Sequence, residues 1–213
     1  MAEEKSVSGE EIKKIAIDKD FLKTYKVHYG RSIKTKFSED FIYGIHPRGF
    51  YLIDLSKTLE KLKIAAKFLS RYEPNEVLIH TSREYGAKAI EMMSKILGYH
   101  GIAGRFPPGT LTNYLLDSYR DVSVLLVLDH TFDQQAVDEA TKVKVPVVSF
   151  VDTNSNGEFI DIAIPGNNKG RGSIAALFWS LTVLILRESG VLKEDEVIEA
   201  TVEDFMVLPE DVE

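Results

Sequence analysis

The residues of this chain equipped for chemistry fall into two groups: cations set beside glycines and amides, and acids at the ends of aliphatic runs. Residues 21–37 carry Lys23, Lys26, Arg31, Lys34 and Lys36 with no acid, a local charge of +5, and His28 lies among them. In Gly166-Asn167-Asn168-Lys169-Gly170-Arg171-Gly172-Ser173 a glycine-rich turn opens a helical run. Free N–H groups and the positive dipole end favour an anion there, Lys169 and Arg171 add two charges, and Asn167 and Asn168 supply amides. The equal alternative is a polar loop whose glycines let the helix start close to its neighbours. Residues 104–113 hold Arg105, Thr110, Thr112 and Asn113 around the Pro107-Pro108 bend. A stiff polar loop costs little order on docking, and these side-chain types contact phosphate and sugar, although a purely structural turn has the same composition.

Other chemistries lack the spacing they need. Gly98, Gly101 and Gly104 do not form G-x-G-x-x-G, and the turn at 166–173 lacks the Gly-Lys-Ser/Thr ending of a nucleoside-triphosphate loop. The histidines at 28, 46, 80, 100 and 130 show no zinc spacing, and the absence of cysteine removes thiolate ligands and thiol nucleophiles. Asp129 and Asp152 end aliphatic runs, where an acid serves as a base in some α/β enzymes and as a turn or capping residue in others. Neither has a paired nucleophile or ligand cluster in the sequence, so no metal and no cofactor is expected.

The net charge of −7 conceals an asymmetry. Residues 188–213 contain ten acids against Lys193, a net of −9, which leaves the preceding 187 residues at +2. A mildly basic body with an acidic tail is expected, the tail facing solvent or a basic partner. The acidic start of the chain is unlike a signal peptide, and the apolar stretch 174–186 falls short of the roughly 20 residues that span a bilayer, so no membrane partner is expected.

These residues must be held by a repeating rhythm of strands and helices. Residues 41–46 and 50–55 flank Pro47-Arg48-Gly49 and read as two strands, and Ser56 caps a helix over 57–72 whose cations Lys57, Lys61, Lys63, Lys67 and Arg71 line the faces turned from its apolar stripe. Further strands are predicted at 76–81, 100–105, 122–128, 145–151 and 159–164, and further helices at 83–97, 133–142 and 170–187. Non-alternating aliphatic strands separated by helices predict a mostly parallel flavodoxin-like or Rossmann-like α/β sheet with helices on both faces. Residues 1–20 form a polar arm with a helical hint at 10–16, residues 21–190 one α/β domain with a basic leading segment, and residues 191–213 an acidic tail.

In order along the chain, Val27-His28-Tyr29-Gly30, Phe41-Ile42-Tyr43, Asp54-Leu55-Ser56-Lys57-Thr58, Ala65-Ala66-Lys67-Phe68-Leu69, residues 105–113, Asp152-Thr153-Asn154 and residues 161–170 resemble the family of ribosomal protein two of the small subunit. The likeness covers about residues 20–190. Asn113 runs within about ten residues into the next strand, without the inserted hairpin of bacterial members or the long tail of eukaryotic ones, so the branch looks archaeal. Gly30-Arg31-Ser32 and Asp129-His130-Thr131-Phe132-Asp133 depart from the usual archaeal Gly-Thr-Gln and Asp-Pro-Arg-Ala-Asp. The resemblance implies a non-enzymatic structural constituent of the cytoplasmic small ribosomal subunit at the junction of its head and body. It implies contacts with ribosomal RNA and other small-subunit ribosomal proteins, and no small-molecule substrate. The RNA-contacting candidates are Lys26, His28, Arg31, Lys34, Lys36, Arg105, Thr110, Thr112, Asn113, Asn167, Asn168, Lys169 and Arg171. Two rival readings are a nucleotide- or phosphosugar-binding α/β enzyme using residues 167–171 and Asp152, and a protein-binding adaptor using the acidic tail.

Overall fold

The structure, a computed structural model, describes residues 17–193, 196 and 198–207. The chain opens on a short helix, α1 (Lys19–Thr24), whose cap Asp18 accepts a hydrogen bond from Phe21 N at 2.8 Å. Part of the basic segment is therefore helical, while the helical hint at 10–16 lies outside the described residues. An antiparallel hairpin of β1 (Ile42–Ile45) and β2 (Tyr51–Ile53) follows. It leads into α2 (Leu55–Leu69), which begins earlier than Ser56 because the capping residue is Asp54, its carboxylate accepting Ser56 N at 2.8 Å.

The main sheet contains β3 (Val77–Thr81), β4 (His100–Ala103), β5 (Val124–Val127), β6 (Val147–Val151) and β7 (Ile162–Pro165), all parallel, in the order β4-β3-β5-β6-β7. Numbered by occurrence within that sheet, this is the flavodoxin-like order 2-1-3-4-5. The strand expected from 159 begins at Ile162, because Gly157 and Phe159 take left-handed φ values of 73° and 58° and turn the chain first.

β3, β5 and β6 are buried along their whole length, as strands covered on both faces must be. Their pleat sends Val77, Ile79, Val124, Leu126, Val148 and Phe150 toward one layer, with α2, α3 (Glu84–Leu97) and α5 (Arg171–Glu188). Leu78, Leu125, Val127 and Val147 face the other layer, where α4 (Gln134–Val143) contributes Ala136, Val137 and Ala140 and the irregular segment after β4 adds Phe106 and Leu111. The two layers are thus unequal, three helices against one helix and a loop. α5 is buried on every side from Ser173 to Ile185, the burial that an apolar helix without a polar face requires.

Among the described residues, 198–207 depart from the expectation of a solvated tail. Val202 and Phe205 are buried in the layer of α3 and α5, Val207 is buried as well, and Trp179 Nε1 donates to Ala200 O at 2.8 Å. Apolar residues spaced among the acids give residues 198–207 a face to bury, so they pack while Glu199, Glu203 and Asp204 stay exposed.

Candidate nucleic-acid interface

In an open parallel sheet, ligands collect outside the carboxyl ends of the strands. At the end of β6, Asp152 is 3% exposed and lies 2.9 Å from Lys169 Nζ and 3.9 Å from Arg31 Nε. Lys169 Nζ also donates to Asn154 Oδ1 at 2.6 Å. The basic segment reaches this point because residues 28–31 run along β2, with Gly30 N donating to Tyr51 O, Tyr51 N to Arg31 O and Ile53 N to His28 O. Arg31 N donates to Thr153 Oγ1 at 2.8 Å. A Cβ at Gly30 would stand 2.3 Å from Thr153 Cγ2, so the close approach requires glycine.

The turn after β7 is organised by its amides. Asn167 Oδ1 accepts from Lys169 N and Gly170 N, both at 3.1 Å, while Asn167 N donates to Val27 O and Asn167 Nδ2 to Lys26 O. Lys26 holds a left-handed φ of 57°, which turns the chain toward this amide with its own side chain exposed. Arg171 lies over the Tyr85 ring at 4.6 Å, a cation–π contact that fixes the guanidinium at the rim. Lys26 and Arg31 of the leading segment and Asn167, Lys169 and Arg171 of the turn after β7 therefore converge on one edge.

The other candidates are placed differently. Lys34 pairs with Glu39 at 2.7 Å, and Lys36 is exposed. His28 is half-buried, and its burial, with Lys23 and His46 nearby, holds its pKa below the usual imidazole value. Arg105 is exposed just past β4, at the opposite end of the same edge. Thr112 and Asn113 are exposed, the latter accepting Leu115 N at 3.1 Å. Two expectations are corrected: Thr110 and Asn168 are at 0% exposure and present no side chain to a partner. Thr110 Oγ1 closes its own turn on Pro107 O at 2.7 Å, and Asn168 Nδ2 donates to Leu128 O and Phe150 O, tying the ends of β5 and β6 together.

Sequence reasoning misses Glu139, the residue that holds the polar loop in shape. Its carboxylate, 2% exposed, accepts Gly109 N at 2.7 Å, Leu111 N at 3.0 Å and Gln135 Nε2 at 2.8 Å. Burial raises its pKa, but these donors and Thr112 together outweigh that cost and hold it below the ordinary glutamate value. The available signal was an acid beside Ala136 and Ala140 on the buried face of an amphipathic helix, where a carboxylate needs a partner.

The crevice between β3 and β5, where the strand order reverses, is filled by the chain's own polar groups. Arg83 Nη2 binds Asp129 Oδ2 at 2.7 Å, Ser82 N donates to Asp133 Oδ1 at 2.6 Å, and His80 Nδ1 donates to Ile102 O at 2.9 Å. Burial pushes the His80 pKa down and that of Asp133 up. Both acids considered as bases, Asp129 and Asp152, are thus committed to cations. A cavity of about 400 Å³ lined by Thr141, Lys144, Pro146 and Asp161 opens at the amino edge of the sheet, away from all of these groups. No helix among the described residues is long and apolar enough to cross a membrane.

Fold and site define a flavodoxin-like α/β protein whose loops gather cations at one edge of the sheet and pair Asp129 and Asp152 internally. The model of the ribosomal protein S2 family matches residues 22–122 and 116–186. Among curated proteins, "Small ribosomal subunit protein uS2" of Pyrobaculum islandicum is 44% identical over 181 residues, covering 84% of this chain and 87% of that protein. The protein of the same name from Aeropyrum pernix is 42% identical over 196 residues, 92% of this chain and 96% of its own length. That from Saccharolobus solfataricus is 42% identical over 179 residues, 84% and 78% respectively. The chain belongs to the ribosomal protein S2 family, it resembles archaeal members, and it is a structural protein, not an enzyme.

Proposed function

We propose that this chain, as a structural constituent of the small ribosomal subunit, binds ribosomal RNA along the carboxyl edge of its sheet and meets neighbouring ribosomal proteins at the junction of head and body. The observation that carries the reading is the convergence of Lys26, Arg31, Lys169 and Arg171 on one rim, with Lys34 and Lys36 on the same leading segment and Arg105 at the far end of the same edge. Phosphate contacts require cations on a rigid frame and no enclosed pocket, and backbone N–H groups and amides of loops supply the rest. Asp152 neutralises part of this charge, and Lys169 serves chiefly to balance it, so Lys26, Lys36, Arg105 and Arg171 carry the interaction with RNA. Arg31, Lys34, Thr112, Asn113, Asn167 and His28 flank them. Each contact is modest, and stable residence comes from joining RNA and protein neighbours at once.

Replacing Lys26, Lys36 and Arg171 together by alanine is expected to weaken binding to a small-subunit ribosomal RNA transcript regardless of local sequence. The slope of log affinity against log salt should fall by about two to three, one for each lost phosphate contact. Filter binding across a salt series measures this, and an unchanged slope removes these residues from the interface.

A further inference from the structure

The carboxyl edge leaves one strongly charged surface of the molecule without a role. On α2, Leu62, Ala65, Ala66 and Leu69 are buried in the core, while Lys63 and Lys67 are exposed, as is Arg71 just past the helix end. The spacing is i, i+4, i+8, a ridge about 12 Å long at 1.5 Å per residue. None of the three forms an ion pair with another described residue. Elsewhere the chain repeatedly spends cations on its own acids, as Lys34 on Glu39, Arg83 on Asp129 and Lys169 on Asp152. Arg71 stands close before Pro74–Glu76 and the first residue of β3, so the ridge descends toward the amino ends of the strands.

We infer that Lys63, Lys67 and Arg71 form a second phosphate-binding track, by which α2 grips an RNA backbone segment distinct from the one at the carboxyl edge. The inference rests on the reading of the chain as an RNA-bound ribosomal protein and adds a second point of attachment. A protein partner fits the ridge less well, because the cores of protein interfaces are apolar and depleted in lysine, and here the exposed apolar residue among the cations is Ile64. An RNA backbone needs no apolar patch, only cations at intervals on a rigid support. Two separate tracks also explain how a chain of net charge −7 holds RNA: the binding cations lie on two faces, ten of the 33 acids fall in residues 188–213, and Glu60 and Glu73 only bound the ridge at its two ends.

The test uses the full chain with Lys63, Lys67 and Arg71 changed to alanine, a substitution that keeps helix propensity on an exposed face. An unchanged circular dichroism melt establishes that the fold is intact. Binding to an archaeal small-subunit ribosomal RNA transcript is expected to weaken on the order of tenfold at about 100 mM salt, with the salt slope reduced by two to three. The charge-preserving variant Lys63→Arg, Lys67→Arg, Arg71→Lys should bind as the parent does. Combining the alanine variant with the Lys26, Lys36 and Arg171 changes should lower the slope further than either alone. If the α2 variant leaves the slope unchanged while the carboxyl-edge variant lowers it, the second track is refuted and the reading of the edge stands. The reverse result keeps the track and overturns the edge. Loss of a protein neighbour from assembled particles with the RNA slope unmoved makes the ridge a protein contact and refutes the inference.

Discussion

A single carboxylate decides whether the loop at 105–113 has a fixed shape. Glu139 accepts the N–H groups of Gly109 and Leu111 with its two carboxylate oxygens. Glu139→Gln keeps the size but turns an amide N–H₂ toward a donor, so a loss of about 1–3 kcal/mol in urea unfolding is expected. The sign of its pH dependence follows from the direction of the shift. A carboxylate held below its ordinary value stabilises the fold above the unfolded pKa of about 4.3, and this contribution fades as pH falls through the folded value. The stability gap between parent and Glu139→Gln should therefore be full near pH 7 and narrow below about pH 4. A gap independent of pH would mean that the ionised form does not hold the loop. Thr110 and Asn168 illustrate the limit of reading residue types: a hydroxyl and an amide look like ligands for RNA in a sequence, yet both satisfy backbone groups inside the fold.

Among the elements, the segment Glu203–Phe205 and its neighbours behave as part of the core, although the acids of the sequence around them suggest a free tail. Phe205 is at 0% exposure, so Phe205→Ala is expected to cost about 3–5 kcal/mol, measurable by thermal or denaturant unfolding. Trp179, whose indole donates to Ala200 O, gives an intrinsic fluorescence signal for the loss. A change within about 0.5 kcal/mol would show that the segment is not docked in solution. The strands and central helices were legible because continuous aliphatic runs have few other uses. The C-terminal segment was not, because its apolar residues are interleaved with acids whose charge dominates the composition of the stretch.

Over the whole molecule, charge is partitioned between faces, and partners see the faces rather than the sum. A chain ended after Val207 loses Glu210, Asp211 and Glu213 but keeps Val202 and Phe205, so it should fold and co-sediment with ribosomal particles on a sucrose gradient as the full chain does. RNase treatment should release both. Loss of co-sedimentation on truncation alone would favour the adaptor reading over an RNA grip. The sequence by itself determined the parallel α/β architecture and the existence of cations beside glycine turns, because burial on both faces dictates aliphatic strands and because turn chemistry is local. The motifs, taken in order, also carried the family. Only the tertiary structure decided which cations stand together, which are consumed by Asp152, Asp129 and Glu39, and which polar residues lie inside, because pairing and burial depend on contacts between separate segments, among them Arg31 with Asp152 and Thr153 and Lys26 with Asn167, each pair more than a hundred residues apart.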